Sequence, residues 1–143
     1  MTREEILQLD DQLLAAINSH EFDQFAALLA DDFSWHDWNY PEPFRDRGEM
    51  QTYLEAWWTA FPDFEDTRIE RIVGDDAVAV EVVWTGTHAG HMALVPGYDL
   101  PPTNKKSTGA KGTETIRMRD GKIVSWRTRP DVLGALVEFD ILD

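Results

Sequence analysis

Asp120-Gly121 stands between two alternating runs, residues 105–119 and 122–129, and commits the last third of the chain to an antiparallel hairpin. Both residues tolerate the positive φ values of tight turns that match strand twist. A two-residue turn would pair Glu114 with Arg127 and separate Ile116 and Met118 from Val124 and Trp126. A three-residue loop, Arg119-Asp120-Gly121 with a glycine bulge, brings Glu114, Ile116, Met118, Val124 and Trp126 onto one face. Joint burial of those apolar side chains favours the second register. It carries Glu114 inward beside Trp126, with Thr128 further along.

The stretch upstream repeats the pattern. Residues 67–73 and 77–88 flank Gly74-Asp75-Asp76, a turn by composition. Residues 89–104 hold Pro96, Gly97, Pro101 and Pro102 and read as a loop, and a short helix over 131–139 closes the chain. The first half is helical instead. Thr2 and Glu5 form a capping box, followed by Ile6, Leu9, Leu13 and Ile17 at helical spacing. A second short helix carries Phe22, Phe25, Leu28 and Leu29 on one face and ends at Asp31-Asp32. Residues 33–38 alternate as a strand that Pro41 and Pro43 stop. From Gly48, the side chains of Met50, Tyr53, Leu54, Trp57 and Phe61 form an aromatic helix face that Pro62 ends. Helices first and meandering strands afterwards imply an α+β fold, with helices covering one face of a curved, mostly antiparallel sheet.

The 143 residues suit one domain, 1–143, and six Trp, seven Phe and three Tyr can fill a core. No cysteine is present, which excludes disulfides, thiol chemistry and cysteine-held metals. Neither a basic, apolar leader nor a membrane-length apolar run is visible, so a cytoplasmic protein without membrane contact is expected. The net charge of −14 argues against nucleic-acid binding, since so acidic a surface repels phosphate. No phosphate loop, nucleophile elbow or His/carboxylate cluster for a metal appears.

Strand parity sorts the polar candidates. Phe33, Trp35 and Asp37 share the more apolar face of their strand, leaving His36 outward. Val80, Val82, Trp84, Gly86 and His88 share another. The inward set of Trp35, Asp37, Trp84, His88, Glu114, Trp126 and Thr128 is too polar for a dry core and reads as a pocket lining. Asp37 is either a buried acid or a strand-end carboxylate bonded into the Asn39-Tyr40-Pro41 turn. Glu114 either lines the pocket or pairs with Arg127 outside. His88 is a cap on the cavity mouth or a satisfied core histidine. His91 and Tyr98 are candidates for a lid, and Asp131, after Pro130, reads as a helix cap.

The order of elements, with WHDW at 35–38, AFPDF at 60–64, GTHAG at 86–90, LPPT at 100–103, RDGKI at 119–123 and DVLGAL at 131–136, resembles the SnoaL-like polyketide cyclases. These belong to the nuclear-transport-factor-2-like superfamily of cone-shaped α+β barrels. The resemblance implies a deep pocket, dimerisation through the outer face of the sheet, and no metal or organic cofactor. It also implies a cyclase or isomerase that uses carboxylate acid/base chemistry on an apolar polyketide-like or polycyclic carbonyl compound. Asp37 falls where related ketosteroid isomerases carry their proton-shuttling aspartate, and Glu114 falls near their second acid. Asp37 is then the base, with Glu114 and His88 polarising the carbonyl or returning the proton. Trp35, Trp84, Trp126, Thr128, Tyr53, Trp57 and His91 would hold the substrate. Two departures stand out. Trp126-Arg127-Thr128 replaces the family's His-Trp-Asp, and Leu13 replaces the isomerases' oxyanion tyrosine. A non-catalytic module binding a small apolar molecule is the alternative. In the homodimer, Val83, Ile123 and the stems of Arg127 and Arg129 would form the outer face, unless the closing helix folds back over it.

Overall fold

The computed structural model of the chain describes residues 1–95 and 98–141. Helix α1 (Arg3–Ser19) opens on the expected capping box: the Glu5 amide donates to Thr2 Oγ1 at 3.1 Å and the Thr2 amide to Glu5 Oε2 at 2.7 Å. Helix α2 (Phe22–Ala26) is shorter than its periodicity suggests, because Leu29 already belongs to strand β1 (Leu29–Asp37). Strand pairing wins there. β1 runs parallel to the last strand, and the Ile123 amide donates to the Leu28 carbonyl at 2.9 Å. One helical turn has little cooperativity with which to resist that ladder.

Helix α3 (Arg47–Ala60) is capped by Asp46, whose Oδ1 accepts from the Gly48 amide at 2.6 Å, and it stops ahead of Pro62. Strands β2 (Glu65–Gly74) and β3 (Ala77–Thr87) meet through Asp75-Asp76, with Asp76 at a φ of 46°. The expected loop over 89–104 contains structure of its own. β4 (Met92–Val95) and β5 (Tyr98–Leu100) pair, with Met92 opposite Leu100. Buried Met92 packs with Ala60 and Phe61 and anchors the ribbon, while Pro101 and Pro102 come only after it ends. Pro96 and Gly97 lie outside the described residues.

Strands β6 (Lys106–Arg119) and β7 (Lys122–Pro130) correct the expected turn. Arg119 pairs with Lys122, so the turn is the two-residue Asp120-Gly121, with φ values of 52° and 79°. The extra residue sits one step later, at Val124, where Arg117 faces Ser125 and Met118 faces Ile123. The consequence for the site is as expected: Glu114, Ile116 and Met118 share the inner face with Trp126 and Thr128. Its detail differs, since the fully buried Ile123, and not Val124, completes that face. Ile123 therefore leaves the predicted outer surface.

The five-stranded sheet has the order β1-β7-β6-β3-β2, parallel only between β1 and β7. The concave face packs on the N-terminal helices through Ile6, Leu13, Phe25, Phe33, Met50 and Ile116. The edge beyond β1 is covered locally, because Trp35 and Phe44 exchange backbone hydrogen bonds at 3.0 and 2.7 Å. Helix α4 (Val132–Glu138) crosses the open end of the concave side, and Phe139 behind it packs on Phe61. It does not cover the outer face, where Trp38 and Ile72 remain exposed and Arg129 lies 4.4 Å over the Trp38 ring.

β6 passes close beneath Trp84 at one glycine. A Cβ on Gly112 would overlap Cη2 and Cζ3 of Trp84. Gly112→Ala is expected to push that indole out of place and lower stability by about 1–3 kcal/mol, read as a shifted urea midpoint.

Candidate active site

Between the N-terminal helices and the concave sheet lies a cavity of about 110 Å³. Five tryptophans reach it: Trp35 from β1, Trp57 and Trp58 from α3, Trp84 from β3 and Trp126 from β7. Phe61, Phe64 and Phe139 extend the aromatic wall towards α4, so the lining is mostly apolar. Among its lining residues are three buried acids, Asp37, Asp66 and Glu114, with the exposed Asp131 at the start of α4 and the hydroxyl residues Ser107 and Thr128.

Asp37 ends β1, and both of its alternatives hold at once. Oδ1 accepts from the Asn39 amide at 2.9 Å, the turn bond expected of a strand-end aspartate. Oδ2 accepts from the Tyr53 hydroxyl at 2.8 Å, inside the cavity wall. Thr128 sits opposite in the parallel register, and its Oγ1 accepts from Trp35 Nε1 at 3.1 Å. Burial pushes the Asp37 carboxyl above the ordinary aspartate range, opposed by the Asn39 amide and the Tyr53 and Thr128 hydroxyls.

Glu114 is buried more deeply, at 1% exposure, and is supplied with fewer donors. Oε1 accepts from Trp126 Nε1 at 2.8 Å and lies 3.3 Å from Arg68 Nη2. Oε2 has no hydrogen-bond partner among the described residues. Its ion pair is with Arg68, reaching in from β2, and not with the exposed Arg127 that the outer-face alternative required. Burial is the main cause that raises Glu114 to about 7, against the Arg68 charge that lowers it and with the Asp66 charge that adds to the rise.

Asp66 and Arg68 were not singled out from sequence. Asp66 Oδ1 accepts from Arg68 Nη1 at 2.9 Å and Oδ2 from Trp84 Nε1 at 3.1 Å. Asn18 of α1 clamps the Asp66 backbone with bonds of 2.7 and 3.0 Å. Arg68 also reaches the wholly buried Asp10 of α1, with Nη2 2.9 Å from Oδ1. Two signals were available. Asp66 and Arg68 are spaced for one strand face, and Asp10 interrupts the apolar stripe of α1 four residues after Ile6.

Tyr53, Trp57, Trp35, Trp84, Trp126 and Thr128 reach the cavity as expected. The histidines do not join them. His88 is fully buried, stacked on Phe61 at 5.5 Å and bonded through Nδ1 to Thr103 Oγ1 at 3.1 Å, but its Nε2 has no partner among the described residues, so it lies in the core without being fully satisfied there. His91 is exposed and pairs with Asp99 at 2.9 Å, away from the cavity lining. The Tyr98 side chain lies outside the described residues. His36 faces outward and stacks on Trp38, Leu13 is core, and Asp131 caps α4 by accepting from the Gly134 amide at 2.9 Å. Among the described residues, no three His, Asp or Glu side chains converge as metal ligands, and no helix is long and apolar enough to cross a membrane.

The family model described as a SnoaL-like domain matches residues 11–126. The fold is similar to that of AclR from Streptomyces galilaeus, a candidate hydroxylase, with 21% identity, 99% of this chain and 84% of that one covered, and a TM-score of 0.82. It is similar to IdmH from Streptomyces antibioticus, a candidate polyketide cyclase, with 24% identity, 94% and 98% coverage, and a TM-score of 0.78. An LEH-like epoxide hydrolase from M. tuberculosis shares it at 17% identity, 96% and 91% coverage, and a TM-score of 0.69. No curated protein matches the sequence.

The three buried carboxyls of the cavity make stability pH-dependent with a definite sign. Burial raises Asp37, Asp66 and Glu114 in the folded state, so the folded protein holds protons that the unfolded chain has released. Their contribution is complete below the unfolded carboxyl values of about 4 and is lost as pH rises through about 7 for Glu114. Urea unfolding across that window is expected to show falling stability. Glu114→Gln should flatten the slope, and a slope equal to wild type would exclude Glu114 as a source of it.

Proposed function

Because the chain belongs to the SnoaL-like domain family and sets Asp37 and Glu114 in one aromatic-walled cavity, we propose that it is a cofactor-independent cyclase or isomerase acting on an apolar, polyketide-like or polycyclic carbonyl compound. One observation carries the reading. Glu114 is a fully buried acid, raised by burial to about 7, whose Oε2 has no partner among the described residues and is left for a ligand. A carboxylic acid in that state donates its O–H to a ligand carbonyl, and it is poised to exchange the proton at working pH.

Asp37 takes the complementary role. Its carboxylate removes the proton next to the carbonyl while Glu114 Oε2–H donates to the carbonyl oxygen, giving an enol. The enol carbon then either attacks a second carbonyl, closing a ring while the proton held by Asp37 passes to the new alkoxide, or takes that proton at another position, giving the isomer. In both cases the enol O–H proton returns to Glu114 as the first carbonyl re-forms. The protons taken and given balance, and Asp37 and Glu114 end as they began. The apolar indole walls suit a planar ring system, which can pack against them without hydrogen-bond demands. A neighbour described as a candidate polyketide cyclase supports this substrate class.

Thr128 sets a boundary on the chemistry. A hydroxyl there cannot act as the carboxylate base that family relatives carry on the last strand. A second reading, a binding module without turnover, draws on a related observation: both Asp37 oxygens already accept hydrogen bonds. Mass spectrometry of the molecule that co-purifies, followed by NMR of deuterium exchange next to its carbonyl, separates the two. The catalyst reading expects exchange that Asp37→Asn and Glu114→Gln each slow by about 10²–10⁴-fold with the fold retained. Full exchange in Asp37→Asn would remove Asp37 from the mechanism, and no exchange in wild type would leave the binding module. No diol is expected from limonene oxide.

The outer face is proposed as a homodimer interface, since α4 leaves its exposed Trp38 and Ile72 uncovered. Sedimentation equilibrium at micromolar concentration should give twice 16.4 kDa, and the single-chain mass would refute the dimer.

A further inference from the structure

We propose that Asp66 and Glu114 hold a single proton between them at neutral pH, with Arg68 as their shared positioning residue, so that Asp66 is a third acid of the cavity. Asp10, Asp66 and Glu114 surround one guanidinium, and their side chains are 0%, 1% and 0% exposed. Asp10 takes the larger share: Arg68 Nη2 at 2.9 Å, Arg68 Nε at 3.4 Å and Arg71 Nη1 at 3.3 Å. Arg71 divides itself with the exposed Asp11, 2.6 Å away. Asp66 keeps Arg68 Nη1 at 2.9 Å, whereas Glu114 competes with Asp10 for Nη2 and lies farther, at 3.3 Å.

Among the described residues, Arg68 is the cation paired with Asp66 and with Glu114. The other groups packed against the pair bring no positive charge. Trp84 of β3 and Trp126 of β7 supply neutral N–H donors, Asn18 of α1 holds only the Asp66 backbone, and Asp37 with Tyr53 lines the same cavity. One guanidinium cannot balance two further carboxylates in so dry a place, and like charges there cannot both ionise cheaply. The direction of the titration shifts agrees: burial raises both, and the Asp66 charge raises Glu114 further.

The pairing makes the two protonation states alternate. When Glu114 loses its proton, its new charge draws on Arg68, and Asp66 becomes the better site for a proton taken from solvent. On the acid/base reading above, this restores the cavity charge after Glu114 has donated to a ligand. The pairing itself does not depend on turnover.

NMR titration of isotope-labelled carboxyl carbons between about pH 4 and pH 9 tests it. Wild-type Asp66 and Glu114 are each expected to titrate in two steps with shared midpoints. In Asp66→Asn, Glu114 should collapse to one step with its midpoint lowered by about one pH unit or more. In Glu114→Gln, the Asp66 midpoint should fall in return. Independent single-step curves in wild type, or a Glu114 midpoint unmoved by Asp66→Asn, would overturn the proposal. Should Asp66→Asn fail to fold, the wild-type curves and Glu114→Gln decide it alone. Absence of turnover would refute the cyclase reading and leave these curves unchanged, so the two failures are distinguishable.

Discussion

Arg68 is the point through which the helical and sheet layers are tied. From β2 its guanidinium meets Asp10 on α1, Asp66 on its own strand and Glu114 on β6. Each group is removed from water, and none could stay charged there alone. A buried cluster of this kind adds little net stability compared with an apolar core of the same volume. Its effect is on placement, since losing one member strands the others and costs about 3–5 kcal/mol. The position of α1 against β2 is fixed by the same side chain that faces the cavity acid.

The aromatic walls depend on the acids as much as the reverse. Trp84 Nε1 is held by Asp66, Trp126 Nε1 by Glu114 and Trp35 Nε1 by Thr128. A buried indole N–H needs an acceptor, so each polar group fixes the plane of one ring. Trp35 and Trp126 consequently stack at 4.6 Å with their planes 25° apart. The cavity wall and the ionisable groups thus form one hydrogen-bonded unit, and a substitution at either end moves both.

Much of this was legible in the chain because it rests on period and turn chemistry. The capping box, the position of the Asp-Gly hairpin and the inward parity of Trp35, Asp37 and Trp126 are local properties, whereas Glu114 reached the right face through a three-residue loop that the structure replaces by a two-residue turn and a bulge at Val124. The misreadings share a cause as well. Leu29 left its helix for a parallel partner 94 residues away, and Ile123 turned inward because the bulge fell at Val124, both consequences of long-range register. His88 followed parity correctly into the interior, but parity cannot distinguish a cavity wall from the core behind Phe61. Arg68 escaped notice for a different reason. A charged residue near the start of an edge strand normally faces water, and only the partners contributed by α1 and β6 make its burial tolerable.

Donor supply distinguishes the acids more clearly than burial does. Asp37 stands at a strand end, where a turn amide and a tyrosine hydroxyl satisfy both oxygens and favour the anion despite the apolar wall. Glu114 stands mid-strand, where every neighbouring amide is committed to the ladder, so only an indole and a shared guanidinium are left for it. On the proposed mechanism the backbone position would divide the roles: the turn amide at the strand end favours the Asp37 carboxylate against its burial, whereas the strand middle leaves Glu114 with few donors and raised to about 7. Replacing the last-strand carboxylate by Thr128 is consistent with that division. A carboxylate at that position, next to Asp37, would repel it and raise it further, whereas the Thr128 hydroxyl accepts from Trp35 and still has a proton to offer Asp37.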